Sequence, residues 1–506
     1  MIGEPVQILR VKDEGDAIEF NESELRSILL DERVKDKPVV VISVAGAYRQ
    51  GKSFLLSFLL RYLRSNGQSV WKEDMDAPLR GFEWRPGSTR ETTGILLWNE
   101  VFLVTNSKGE EVAVLLMDTQ GTFDCESTMK ESTTIFSLSM LMSSVQIYNL
   151  MNNIREDDFQ HLQFFAEYAR LVQGETETRP FQKLLFLVRD WNWPHEKEYG
   201  FHGGRSLIES RLEIKHGQSE ELRMLRRSIS TCFSEIQCFL MPHPGMKVAS
   251  EQSFDGRLRD MDEVFREKLF ELVPSLLAPE ELLVKKINGR ELSCQDLMTF
   301  FKAYVDVFKG HDLPKPMSVL LATANASNVA AMDKARQRYM SGMRDRPRRD
   351  LEKLRKFHSE LLAQAEQVFK DFPKVGGGAT TSASMDLLTK ELEEYYEHIF
   401  EEEDELIKKE QTEEAKRKKE RDEERRREEE RERERDLEME RAAAREAEIA
   451  QERAEMKQRL VELESRVSAE ESKKIAAILQ GAAGILQALS SFPAIRGCST
   501  KGVPGS

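Results

Sequence analysis

Val39-Val40-Val41-Ile42-Ser43-Val44-Ala45-Gly46-Ala47-Tyr48-Arg49-Gln50-Gly51-Lys52-Ser53 is the stretch on which the fold turns. Its first half is a short, nearly unbroken β-branched run, the pattern of a strand buried on both faces of a parallel sheet. Its second half, Gly46 to Ser53, is GxxxxGK[ST], and a helical stretch from Phe54 to Leu63 follows. Strand, glycine-rich loop and helix in that order make a phosphate cradle. Glycines let the backbone curl so that successive N–H groups face phosphate oxygens. Lys52 adds a point charge near the β and γ groups, and Ser53 offers a hydroxyl to Mg²⁺. The helix N-terminus contributes its own partial positive charge.

Two further apolar runs, Val112 to Met117 and Leu184 to Val188, lie within a region from about Lys37 to Glu280 that alternates strand and helix patterns. That alternation marks an α/β domain, in which ligands bind at the carboxyl ends of the strands. The second strand closes on Asp118-Thr119-Gln120-Gly121. An aspartate there can hold Mg²⁺ through water, and the glycine N–H can approach a γ-phosphate. DxxG by itself is also a common turn. Between the two strands lies the polar stretch Ser88 to Gly94, in which Thr92 is a candidate second metal ligand or an ordinary loop threonine. Asp190, after the third strand, could accept from N1–H and the exocyclic amine of guanine, a donor pair that adenine lacks. The dipeptide Arg189-Asp190 also reads as a strand-end salt bridge.

The remainder is helical. From about Pro314 to Phe400, Leu351, Leu354, Leu361, Leu362 and Val368 recur at helical spacing, broken at Arg346-Pro347 and at the linker Phe372 to Gly378. A small helical bundle is expected. Glu401 to Glu471 has neither proline nor glycine, and 20 acidic and 13 basic residues fall between Glu401 and Glu440. Acid-before-base pairs such as Glu413 and Arg417 support a solvated helix, about 100 Å long at 1.5 Å per residue. Apolar positions at its ends suggest short coiled-coil seams, and a charged, disordered linker is the alternative. After Lys473-Lys474, an amphipathic stripe from Ile475 to Leu489 suits a membrane surface or a partner helix. The chain has 506 residues, 40% hydrophobic and 32% charged, which excludes both a membrane bundle and wholesale disorder. Its net charge of −14 argues against a nucleic-acid binder. Five scattered cysteines without a CxxC pair support neither a zinc ribbon nor a disulfide framework. Met1 to Glu14 contains no apolar signal core, so a reducing, cytosol-facing setting is expected.

Five ordered motifs resemble one family. They are the P-loop with Arg49, Arg90 to Ile95, Leu116 to Asp124, Val188 to Trp191 and His243 to Ala249, together with the linker Gly310 to Pro314. They are similar to those of the atlastins, guanylate-binding-protein-like large GTPases of the dynamin superfamily. The resemblance runs from about Ile8 to Phe400. It implies an α/β P-loop GTPase domain, mostly parallel sheet with helices on both faces, over 1–310. A three-helix middle domain over 311–400 would follow, then the charged helix over 401–472 and the tail over 473–506. The implied activity is hydrolysis of GTP to GDP and phosphate by a homodimer that forms with nucleotide. Arg49 would act as an arginine finger in cis, with Lys52 and Thr92 beside it in catalysis. Arg49, Gln50, Gly51, Lys52, Ser53, Phe54, Gln120, Gly121, Arg189, Asp190 and Val248 would hold the nucleotide, and Ser53, Thr92 and Asp118 the Mg²⁺. Two departures stand out. Glu251 occupies a position where atlastins have asparagine, and the charged helix stands where they have a two-helix transmembrane hairpin. The implied location is the cytoplasmic face of the endoplasmic reticulum, in membrane tethering, fusion or organisation, or the cytosol if the tail is no anchor. A guanylate-binding-protein-like GTPase and a nucleotide-gated tether are the alternatives.

Overall fold

In the computed structural model, residues 3–11, 17–47, 50–84, 92–121, 128–175, 178–215, 217–310, 313–374 and 378–465 are described. Among them, nine strands form one sheet: β1 (Pro5–Val11), β2 (Ile18–Phe20), β3 (Val39–Gly46), β4 (Ile95–Trp98), β5 (Phe102–Thr105), β6 (Glu111–Thr119), β7 (Val145–Met151), β8 (Phe181–Arg189) and β9 (Phe233–Leu240). Their order is β2-β1-β4-β6-β3-β7-β8-β9, with β5 also paired to β6. The five strands from β6 to β9 run parallel, and the flank of β4, β1, β2 and β5 is antiparallel. The three apolar runs of the sequence are β3, β6 and β8.

Period-two alternation sends each central strand into two cores. Val39, Val41 and Ala45 of β3 enter one apolar layer, and Val40, Ile42 and Val44 enter the other. β6 divides likewise, with Ala113, Leu115 and Met117 on the first side and Val112, Val114 and Leu116 on the second. Helices Met129–Met142, Gln163–Glu175, Glu220–Cys232 and Cys294–Phe308 supply the first layer. The P-loop helix Lys52–Arg64 and the helix Glu263–Leu272 supply the second. Continuous apolar strands therefore read correctly as strands covered on both faces.

Helix Pro316–Met343 belongs to two cores at once. Val319, Leu320, Ala322 and Ala326 pack into the first layer of the sheet domain, where Thr323 Oγ1 lies 3.1 Å from Tyr168 Oη and 3.2 Å from Tyr304 Oη. From Ala330 onward the same helix packs with Leu351–Asp371 and with the start of Gly378–Ser465 in a separate three-helix core. Leu354 and Leu361 are buried there and Leu351, Leu362 and Val368 partly so, as their spacing predicts. Leu392 and Ile399, within the expected bundle, are core residues of it as well. The chain divides into two compact units, Met1–Glu403 and Asp404–Ser506. In the second, the described residues continue the helix to Ser465, and every side chain from 408 to 459 is exposed. Glu413 pairs with Arg417 at 3.9 Å, as expected. Among the described residues no helix is long and apolar enough to cross a membrane. The expected amphipathic stripe from Ile475 to Leu489 lies outside the described residues.

Candidate active site

Strand register brings the site together. β3 pairs with β6 so that Val44 stands opposite Asp118, and with β7 so that Gly46 stands opposite Asn149. The carboxyl ends of three adjacent strands thus surround the turn that follows Gly46. A Cβ on Gly46 would meet the Asn149 carbonyl oxygen at 2.1 Å, so no larger residue fits while that register holds. Gly51 caps the P-loop helix with φ +73°, a left-handed conformation that favours glycine. Lys52 follows, buried, with Nζ donating to Ala47 O at 3.1 Å across the loop.

Three hydroxyl and carboxylate groups converge next to it. Ser53 Oγ donates to Asp118 Oδ2 at 2.5 Å, Thr92 Oγ1 donates to the same oxygen at 3.3 Å, and the two hydroxyls are 3.4 Å apart. Asp118 is fully buried, and its second oxygen, Oδ1, has no partner among the described residues. Burial pushes its carboxyl above the ordinary range, against the pull of the Lys52 ammonium and the two hydroxyls. Buried polar atoms without partners are rare and call for a missing group. Gln50 Oε1, Asn149 Oδ1 and Arg189 Nε are also buried and unpartnered. All three residues touch the P-loop, because Asn149 Nδ2 and Arg189 Nη1 both reach Gln50 O, at 3.0 and 3.5 Å. Oxygen donors alone, one of them anionic and half unsatisfied, fit a hard divalent cation such as Mg²⁺.

Gln120 is buried. Its Oε1 accepts from Gly94 N at 2.7 Å, and its Nε2 donates to Glu131. Gly121, buried, follows it. Arg189 ends β8 beneath the P-loop, with Nη1 also 3.4 Å from Gly51 O. Asp190 is half-buried at φ +53°, and its carboxylate accepts no hydrogen bond among the described residues. The loop after β9, the neighbour of β8, leads to the short helix Met246–Ser250. There Val248 is half-buried on the second apolar layer. Phe54 joins an aromatic cluster with Phe58, Trp84 and Phe254. Arg49 lies outside the described residues.

Comparison with known proteins decides the family. Residues 15–287 match the guanylate-binding protein N-terminal domain. Atlastin-2 of Homo sapiens is 48% identical over 405 residues, 79% of this chain and 70% of that protein. The chain belongs to the atlastin family. Atlastin-1 of Bos taurus is 47% identical over 397 residues, covering 78% of this chain and 71% of its own. Atlastin-2 of Xenopus laevis is 46% identical over 405 residues, covering 79% and 71%. The protein is therefore a GTP-binding GTPase of the guanylate-binding-protein type.

Sequence reasoning missed two contributors. Asn149 clamps the P-loop from the end of β7, and only its place at a strand end hinted at it. Glu131 receives the Gln120 amide, and Thr128-Met129-Lys130-Glu131 carries the T-x-x-E spacing of a helix start. Arg189, which the resemblance places at the nucleotide, also buttresses the P-loop carbonyls, a contact that depends on the fold alone.

Proposed function

We propose that the chain binds GTP with its phosphates in the loop from Gly46 to Ser53, pairs with a second copy, and hydrolyses GTP to GDP and phosphate. Ser53, Thr92 and Asp118 would hold Mg²⁺ against the phosphates. The reading rests on one observation, the convergence of those three side chains on the buried, half-unpaired carboxylate of Asp118. Once bound, the cation neutralises charge on the β- and γ-phosphates. The protein's own groups do the rest. Backbone N–H groups of the loop, Gln50 and Gly51 among them, and the Lys52 ammonium orient the phosphates. Thr92 and Gly121 hold their segments against the γ-phosphate, and Arg49, folded over the phosphates on dimerisation, stabilises charge as water displaces GDP in line. Asp190 selects guanine through the N1–H and amine donors, and Val248 flanks the base. The Phe54 ring packs on Phe58 and Phe254, which anchors the start of the helix that follows the loop.

In the cell, the reading is tethering, fusion or organisation of endoplasmic reticulum membranes from their cytoplasmic face, the role that the family resemblance implies. The exposed charged helix favours a second reading, a nucleotide-gated tether whose arm spaces or recruits partners. Calorimetry with the intact chain and Mg²⁺ tests the site: GTP and GDP should give a strong signal and ATP none. Equal heats for ATP would overturn the assignment of Asp190. Sedimentation in GDP and in a transition-state mimic tests the pairing, which should appear with the mimic alone. Single-turnover phosphate release separates the enzyme reading from the tether reading, because a tether that uses GTP only as a structural cofactor would bind it without release.

A further inference from the structure

Gln120 ties the segment that carries Thr92 to the end of β6. Its backbone N–H donates to Gly94 O at 2.8 Å, and Gly94 N–H donates to its Oε1 at 2.7 Å. The far end of the same amide, Nε2, donates to Glu131 Oε1. A glutamine amide can turn end for end, and the turned form would set its NH₂ against the Gly94 N–H, donor against donor. An acceptor at Glu131 holds the useful orientation. Both side chains are buried. Gly94 is held from its other side as well. Its φ is +67°, and a Cβ there would lie 1.9 Å from Leu9 O. Gln7 Nε2 donates to the Thr93 carbonyl at 2.7 Å. With the 92–94 backbone fixed in this way, the Thr92 hydroxyl stays 3.3 Å from Asp118 and 3.4 Å from Ser53.

We propose that Glu131 is a positioning residue for GTP hydrolysis. By orienting the Gln120 amide it keeps the 92–94 backbone, and with it the Thr92 hydroxyl, within reach of the metal site. Glu131 acts through the Gln120 amide, and its first-turn place on helix Met129–Met142 makes it the anchor of this chain of contacts. The inference rests on the reading of Ser53, Thr92 and Asp118 as metal ligands.

Glu131→Ala and Glu131→Gln in the full chain test it. Partners that orient a metal ligand typically change metal affinity by about 10–100-fold when removed. In E131A, the Mg²⁺ concentration for half-maximal GTP turnover should rise about tenfold and kcat should fall. GDP affinity should stay within about twofold, because the P-loop contacts are untouched. E131Q keeps an acceptor oxygen in place and should recover most of the loss. A second readout needs neither nucleotide nor metal: hydrogen exchange in the peptide from Thr92 to Trp98 should quicken in E131A and return toward wild type in E131Q. Wild-type exchange and Mg²⁺ dependence in E131A would overturn the proposal. So would parallel loss of GDP binding and of the thermal transition, which would make Glu131 a folding residue. If the unmutated chain turned over GTP without any dependence on Mg²⁺, the metal-site reading would fail by itself. The exchange comparison would still judge the link from Glu131 to Gly94.

Discussion

Single residues at the strand ends carry the tightest constraints. Gly46→Ala would drive a methyl into the Asn149 carbonyl, so either the β3–β7 pairing shifts or the loop moves. We expect a loss of about 2–4 kcal/mol in chemical denaturation, together with weakened GDP binding. Asp118→Asn removes the anionic acceptor shared by Ser53 and Thr92. GTP turnover should fall on the order of 10²–10³-fold, as when a preorganised electrostatic group is removed. The same variant has an opposite effect on the empty protein. Burial raises the Asp118 carboxyl above its unfolded value of 3.8, so the folded chain holds that proton more tightly than the unfolded one. Without nucleotide or metal, this stabilising contribution is fully present below pH 3.8 and is lost as pH rises through the raised value. Measured against D118N by denaturation, the wild type should lose stability across that window. The phosphate loop and Asp118 were legible in the sequence because their chemistry dictates spacing, whereas Thr92 was left open between a ligand and a loop threonine. Asn149 and the contact of Arg189 with the loop carbonyls were not, because their work is done across strands distant in sequence.

At the scale of elements, three of the five parallel strands declared themselves; β7, β9 and the antiparallel flank did not. β3, β6 and β8 are buried on both faces and therefore read as unbroken apolar runs, whereas β2 and β5 alternate half-buried and exposed residues over three or four positions. So short a pattern is indistinguishable from a loop. Helix Met129–Met142 joins the site to the rest of its layer. Glu131 opens it at Gln120, and the carbonyl of its C-cap, Ser143, accepts from Lys285 Nζ at 2.8 Å. A cation suits a helix C-terminus, yet full burial lowers the Lys285 ammonium from 10.5 to about 7. Between those values the unfolded chain binds the proton that the folded chain releases, so folding stability rises with pH from about 7 toward 10.5. Lys285→Met should flatten that rise. Denaturation at pH 7 and pH 9 should show the wild type gaining on the variant by about 1–2 kcal/mol.

The molecule as a whole is built around a shared helix. Pro316–Met343 places its first half in the sheet domain's core and its second half in the bundle's, so the two cannot separate without exposing one of them. A polar clamp lies beside this joint. Arg290 Nη2 pairs with Asp296 at 2.7 Å, and its guanidinium lies 3.7 Å from the centre of the Phe372 ring. Asn288 Nδ2 donates to Lys374 O at 3.0 Å. Asp296 also caps its own helix, with Ser293 N donating to it at 3.0 Å. Asp296→Ala would leave the half-buried Arg290 without its ion-pair partner and Ser293 N–H without its acceptor, at a cost of about 2–3 kcal/mol. Thermal unfolding should fall accordingly, and proteolysis should reach the linker near Phe372 sooner. The charged helix is held differently. Its pairs, Lys408 with Asp404 at 2.6 Å and Arg425 with Glu429 at 3.7 Å among them, are solvent-screened and contribute little. Circular dichroism of residues 404–465 should show a broad melt that is independent of concentration and weakened by about 1 M salt. A sharp, concentration-dependent transition would mean that the helices pair.

What the sequence by itself determined is the set of local chemistries: a strand feeding a glycine-rich loop and helix, a carboxylate closing a second strand, and a charged segment with nothing to bury. Each follows from residue types within a few positions of one another, where spacing alone decides which groups can meet. Tertiary structure decided everything that needs two distant segments at once. It set the register that places Asp118 and Asn149 around Gly46 and the turn of the Gln120 amide toward Glu131. It also sent Arg189 to the loop carbonyls and gave one helix to two cores. Such contacts leave no periodic trace in the chain, because strand pairing and buried polar satisfaction are properties of neighbours in space.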